Sequence, residues 1–514
     1  MSVVRSEWSH SKTEPRTHSG MVTAEHHLAA EAGVEVMRDG GNAVDAAVAA
    51  AFVMGVVEPF TSGIGGIAGL VIRRADGSVA SIDGGTRAPK AARADMFTLL
   101  GGGARAGMYA WPAVKDSANI EGPLSVGVMG QPAALCLALE RYGRLPRTRV
   151  MESAIRIARE GFEVDWYVSL SLAMYHERLS KAGDAKGIFF RPSGAPLRPP
   201  IGTEPSDKLV QPDLARALEA IAKDGPRILY EGELGRQIVA GVRACGGILS
   251  EDDLRGYAPT EAAPLATMYR GHRVLTLPGL SGGPTVARAL SILEAFPVGA
   301  NEQGGAEHLH LVAEALRAAF LHRFSQLADH TTHLNAIDGE RTMVALTQTL
   351  GQGFGSGFVP KGTGVVLLDT MTWFDPVPDH PNSIAPGKRV LWAGAPTLLI
   401  KDDRPLLAVG APGGRKIMSA VTQSIVNVAD YGDGPQVAVN RPRVHDEGEG
   451  LLVDSRIPES VRSALAERGH VIEVQEETLM SAWFARPQAI MVDERTNELR
   501  GGVDALKPAV AVGY

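Results

Sequence analysis

The chain has 514 residues, 45% of them hydrophobic, with 51 basic and 58 acidic side chains for a net charge of −7. That length allows two domains or one long intertwined one, and with no basic patch the charge balance excludes nucleic acid as a partner. Two cysteines, Cys136 and Cys245, are too few for a disulfide framework in so long a chain and fit a reducing compartment. The first 20 residues hold no apolar signal-peptide core, and no run reaches bilayer-spanning length. The expectation is a cytoplasmic protein with no membrane partner.

Residues 1–20 are polar and read as loose. A helix is predicted from Ala24 to Arg38, stopped by Gly40-Gly41. The next segment, NAVDAAVAAAFVMGVVEP, is apolar on nearly every side. It reads as a core helix ended by Pro59, with the small-residue segment TSGIGG (61–66) after it. Residues 68–84 place β-type apolar runs around a DG turn, a hairpin signature. Gly- and Pro-rich stretches over 100–125 and 184–206 read as surface loops. Two helices fill most of 128–163, and another spans 304–326. After residue 330, TTHLNAI, DGE and RTMVALTQT predict a strand, a tight turn and a strand. A second hairpin follows over 396–410. Then APGG leads into a helix with Ile417, Val421, Ile425 and Val428 at helical spacing. This alternation makes a layered α/β architecture the natural class. No repeats are evident.

The chemistry concentrates in three pieces. His330-Thr331-Thr332-His333 opens one strand, Leu346-Thr347-Gln348-Thr349 ends its partner, and Gly410-Ala411-Pro412-Gly413-Gly414 forms a strand-to-helix turn. A threonine hydroxyl is a weak nucleophile until a base takes its proton. An α-amino group, with a pKa of about 7.7–8.0, can be that base near neutral pH, and only an N-terminal threonine carries one beside its hydroxyl. Thr331 lies mid-chain, so the 330–331 bond must break first. Backbone N–H groups of Gly413 and Gly414, at a helix N-terminus, can receive the oxyanion of a tetrahedral intermediate. Other motifs carry less. Gly63-Ile64-Gly65-Gly66 follows a helix and is no dinucleotide fingerprint, and no Walker sequence is present. His308 and His310, two residues apart on a helix, do not share a face and make a poor metal pair. His333 reads as structural, and His445 as a surface or structural residue.

These segments resemble the γ-glutamyltranspeptidase family. The resemblance runs through GGNAVDAAVAAAFVMGVVEPFTSGIGG (40–66), residues 229–257 and 278–296, TTHLNAIDGE (331–340), FGSG (354–357), HPNSIAPGKR (380–389), GAPGG (410–414) and AVGY (511–514). It implies a four-layer αββα fold and self-cleavage into fragments 1–330 and 331–514 that form one intertwined domain. It also implies that Thr331 is the nucleophile, that the Thr349 hydroxyl bonds the nucleophile's amine, and that Gly413 and Gly414 form the oxyanion site. The γ-glutamyl grip does not carry over. The family's D-x-R-E-x-A-P reads Asp83-Gly84-Gly85-Thr86-Arg87-Ala88-Pro89, so the arginine's register is Gly85. Arg87, two residues on, would in a strand point to the same side. An asparagine beyond the second threonine becomes Gly351. A Q-M-D-D-F stretch becomes Thr370-Met371-Thr372-Trp373-Phe374, and a serine pair becomes Trp392-Ala393. Burying a glutamyl zwitterion without partners is costly, whereas two tryptophans offer apolar walls.

The leading expectation is an autoprocessing threonine amide hydrolase or acyltransferase acting on a small non-γ-glutamyl acyl substrate. It needs no cofactor or metal, and its two fragments pair as a heterodimer. Arg87, Thr370, Thr372, Trp373, Trp392 and Ala393 line its substrate side. The rivals are an ordinary glutathione hydrolase, a carbon–carbon bond hydrolase of a secondary-metabolite pathway, and an inactive, uncut homologue.

Overall fold

The computed structural model describes residues 10–107, 110–181, 183–324, 332–481 and 483–514. Asn42 starts its central helix, Ala43–Val57. The Asn42 side chain accepts from the Val44 and Asp45 amides, and the Asp45 carboxylate accepts from the Asn42 amide, a reciprocal cap. All fifteen residues of this helix are buried, as its uniformly apolar sequence predicts. Gly55 lets it touch the following segment: a Cβ there would fall 2.8 Å from the Gly63 Cα.

Two antiparallel seven-stranded sheets pack face to face. One runs Val510–Gly513, Gly20–Ala24, Thr332–Asp338, Met343–Thr349, Ile67–Arg73, Val79–Gly84, Thr260–Ala262. The other runs Arg16–Thr17, Leu499–Val503, Gln488–Val492, Arg404–Gly410, Thr397–Lys401, His272–Thr276, Leu265–Tyr269. Helices His27–Arg38, Ala43–Val57 and Gln131–Tyr142 cover the first sheet. Gly283–Leu293 and Lys416–Ala429 cover the second, with Ala306–Phe324 packed on Gly283–Leu293. This is the expected αββα sandwich. Every residue of Thr332–Asp338 and Met343–Thr349 is buried, because both sheet faces are covered. Each sheet mixes strands from before and after residue 330. No described helix is long and apolar enough to cross a membrane.

The structure departs from the sequence reading near the N-terminus. The helix begins at His27, not Ala24, because His26 is extended and its Nδ1 accepts from the Leu28 amide at 3.2 Å. Gly20–Ala24 is instead a fully buried strand. The described part of the polar arm is tied down: Lys12 Nζ donates to the Lys507 and Ala509 carbonyls at 2.5 and 2.6 Å, and Arg16–Thr17 pairs with the Leu499–Val503 strand. Hydropathy does not register anchors made by backbone groups. Residues 184–206 are also not wholly surface: the helix Ala185–Phe189 buries Phe189, whose ring lies 5.2 Å from that of Phe354.

Candidate active site

Thr331 lies outside the described residues, so the site is built from what surrounds it. The strand that begins at Thr332 pairs Thr332 with Gln348, so the next position along Met343–Thr349 is Thr349, at the end of that ladder. Thr349 is buried, and its hydroxyl oxygen accepts from the Gly351 amide at 2.9 Å. That leaves the hydroxyl proton to be donated. Gln348 pins the hairpin from behind. Its amide donates to the Ala51 carbonyl at 3.1 Å and the Ser62 hydroxyl at 3.0 Å, and its carbonyl accepts from Gln131 at 2.5 Å.

His333 joins the two sheets. Asn335 Nδ2 donates to the Thr23 hydroxyl and the Gln488 carbonyl, which turns its Oδ1 toward His333 Nε2 at 2.9 Å. Nε2 therefore carries the proton, and Nδ1 accepts from the Thr347 hydroxyl at 3.0 Å. Burial lowers its pKa to about 4. With both nitrogens engaged it is a neutral structural residue, as the sequence reading holds. A Cβ on Gly410 would fall 2.2 Å from the ring Cε1. This close approach sets the glycine turn over the start of the Thr332–Asp338 strand.

Beyond Gly410, Gly413 and Gly414 take φ of 134° and 64° just before helix Lys416–Ala429. Successive positive φ values favour glycine. A Cβ on Gly413 would meet the Ala485 Cα at 2.5 Å, while the Pro412 carbonyl accepts from the Arg486 amide at 2.9 Å. A buried charge cluster underlies the turn. Arg415 pairs with Glu447 at 2.7 Å, and Glu447 lies 3.4 Å from His445, whose Nδ1 is 2.8 Å from the Ser419 hydroxyl. Burial works to raise the Glu447 pKa, yet His445, Arg415 and Lys416 draw it down to about 2. Sequence reasoning took His445 as surface or structural, and its burial and partners decide for the structural role.

The residues assigned to substrate binding fall into two groups. Thr370, Thr372 and Trp373 lie on the short turn Thr370–Trp373, all buried. The Thr370 hydroxyl is 2.8 Å from that of Thr86, and Thr372 accepts from Gln352 at 3.2 Å. Trp392 and Ala393 are fully buried. The Trp392 ring is wedged against Gly69 and Gly394, where a Cβ would come within 2.8 and 2.3 Å of it. Arg87 is not in a strand. It bridges Val128 and Arg389, and its guanidinium lies 5.8 Å from the Tyr257 ring centre. Carboxyl groups lie against both glycine replacements, and the one at Gly85 is Asp83, the aspartate that this chain shares with the family's motif. A Cβ at Gly85 would lie 3.0 Å from Asp83 Oδ1, and one at Gly351 would lie 1.7 Å from Asp369 Oδ1. Asp83 is paired with Arg389 at 2.5 Å. Asp369 is raised well above the usual carboxylate range by burial, against the pull of Arg178 and the Gln352 amide.

Two features escaped sequence reasoning. Glu25 and Glu58 are buried side by side behind Thr332, with Lys507 and Tyr167 nearby. Burial raises both carboxyls, and Glu25 raises Glu58 further. The Thr332 hydroxyl faces this pair without a full hydrogen bond. Arg323, near the end of helix Ala306–Phe324, donates to the Ser281 and Trp392 carbonyls at 2.7 and 3.1 Å. It fixes the helix that leads toward residue 331 against the Trp392-Ala393 segment. No local signal marks these residues, since their partners lie far off in sequence.

The γ-glutamyltranspeptidase family model matches residues 29–331 and 328–514. The chain belongs to the γ-glutamyltranspeptidase family. Like that family it is an enzyme of the N-terminal-nucleophile hydrolase class. Among its family relatives, the acylase ACY 1 proenzyme of Pseudomonas sp. (strain V22) is 35% identical, covering 89% of this chain and 88% of the relative. The glutathione hydrolase proenzyme of Escherichia coli (strain K12) is 30% identical, covering 95% and 90%. The cephalosporin acylase from Bacillus halodurans superposes with a TM-score of 0.86 at 27% identity, covering 100% of this chain and 99% of that one.

Proposed function

We propose that this enzyme cleaves itself before Thr331 and then hydrolyses, or transfers, the acyl group of a small amide that is not γ-glutamyl. The Thr331 hydroxyl adds to the His330 carbonyl, the 330–331 C–N bond breaks, and water hydrolyses the resulting ester to release fragments 1–330 and 331–514. The freed α-amine then takes the hydroxyl proton during attack on substrate. The Thr349 hydroxyl oxygen, which already accepts from the Gly351 amide, also accepts an N–H of that amine and so leaves the amine lone pair free for the proton. The N–H groups of Gly413 and Gly414 receive the oxyanion.

The observation that carries the substrate reading is the filling of position 351. A glutamyl group reaching the place of the family's asparagine meets the Asp369 carboxyl, whose Oδ1 lies 1.7 Å from where a Cβ on Gly351 would stand, while position 85 has lost the arginine altogether. A buried carboxylate beside another acid is strongly disfavoured. The wall beside position 351 is apolar, since the Trp373 ring carbon Cη2 lies 3.2 Å from where a Cβ on Gly351 would stand. Likeness to two acylases supports the same reading.

The test is a panel of cephalosporin and simple acyl amides beside glutathione and a γ-glutamyl anilide, with mass spectrometry of the adduct on the 331–514 fragment. The expected result is an acyl adduct on Thr331 and turnover of acyl amides well above γ-glutamyl release. Efficient glutamate release from glutathione would instead make this an ordinary glutathione hydrolase.

A further inference from the structure

We propose that His310, Glu314 and His470 form a divalent transition-metal site that ties the large fragment to the small one. His310 and Glu314 are four residues apart on helix Ala306–Phe324, so they share a face. His470 lies between helix Glu459–Glu467 and strand Ile472–Gln475. One ligand atom from each of the three residues lies within 4.8 Å of the others, and His310 Nδ1 is 2.8 Å from His470 Nε2. His470 is buried and His310 half-buried, so the site is held by the fold yet open to an incoming ion. His308, two residues from His310, is not part of it: its Nδ1 accepts from the Gly304 amide at 2.8 Å.

Two imidazoles and one carboxylate are the donor set that zinc, cobalt and nickel prefer, whereas calcium and magnesium ask for oxygens. Two nitrogens on a tetrahedral zinc stand about 3.3 Å apart. The rings need to part by roughly half an ångström, with the ion replacing the proton between them. Water completes the shell. The surrounding charges leave room for a dication. Arg317 donates to Glu314 Oε2 at 2.8 Å, which occupies one of the two carboxylate oxygens. Arg468 is paired with Glu307 at 2.5 Å, and Asp446 faces Arg317 and Glu314.

His310 and Glu314 precede residue 331 and His470 follows it, so on the proposed processing the ion bridges both fragments. It also clamps the helix whose far end carries Arg323. Metal binding itself does not need processing, so it is tested on both the tag-free wild-type protein and the uncut Thr331→Ala protein. After chelation and dialysis, each is given zinc or cobalt and dialysed again. We expect about one ion retained per chain in both proteins, with visible cobalt bands of low coordination number. Affinity should fall more than about 100-fold in His310→Gln and His470→Gln, above the 10–100-fold cost of losing even an outer-sphere partner. Amidase activity of these variants without metal should match wild type. Zinc lost on dialysis, or retained equally by the His310→Gln/His470→Gln double variant, overturns the site. Retention in Thr331→Ala without fragment cleavage in wild type would leave the metal site standing and refute the processing reading alone.

Discussion

At the scale of single residues, the chemistry rests on one hydroxyl and the groups that aim it. Thr331→Ala should give one uncut chain of full mass with no amidase activity, while Thr331→Ser, which keeps a hydroxyl, should still cut. Intact-mass measurement distinguishes them, and cleavage of the alanine variant would refute the assigned nucleophile. Gly413→Ala should lower kcat by about 10²–10³, the cost of a lost oxyanion donor, because its Cβ collides with Ala485 and φ of 134° is unsuited to alanine. Steady-state kinetics of the processed protein should show KM little changed. His333 was legible as structural because a histidine beside two threonines on a buried strand needs partners more than exposure. The Asp369 carboxyl that fills position 351 was not legible, since which side chain occupies a vacated space depends on packing.

At the scale of elements, the apolar helix and all three hairpins follow from local pattern alone. Helix Ala43–Val57 gives a direct check of its packing. Gly55→Ala must displace the Gly63 backbone and should cost about 1–3 kcal/mol, as overpacking does. A lowered thermal midpoint with unchanged secondary structure is the expected readout, and an unchanged midpoint would mean the contact is slack. The elements the sequence misjudged share a cause. Gly20–Ala24 sits mid-sheet, and Lys12 is held by the Lys507 and Ala509 carbonyls. In both cases the partner lies at the other end of the chain.

At the scale of the whole molecule, strands from before and after residue 330 are hydrogen-bonded to one another within both sheets. The two fragments should therefore co-elute under native conditions and separate only in denaturant. Size exclusion followed by a denaturing gel checks this, and free native fragments would contradict it. Acid should unfold the protein early. His26, His308 and His333 have pKa values lowered by burial to about 3, 4 and 4. Groups with depressed folded values give stability that is full above their unfolded pKa of about 6.5 and is lost as pH falls toward the folded value. Glu447, drawn down to about 2, adds a loss below about pH 4.5. The raised Glu25, Glu58 and Asp369 carboxyls act in the opposite sense, so the histidine contribution is read as a fall in denaturant midpoint from pH 6.5 to 4 that is smaller in His308→Gln than in wild type, and an equal fall would be inconsistent with it.

The sequence by itself determined a layered α/β class, whose αββα order is what the family resemblance implied, together with the hairpin that begins beside Thr331 and the glycine turn before helix Lys416–Ala429. Each is written in residues close together in the chain, where periodicity and turn chemistry suffice. Only the tertiary structure decided what those elements face. It set Gly410 against His333, placed Glu25 and Glu58 behind Thr332, and brought His470 to His310 and Glu314. These meetings join residues up to hundreds of positions apart. They are fixed by how sheets stack and helices cover them, which no local pattern of residues encodes.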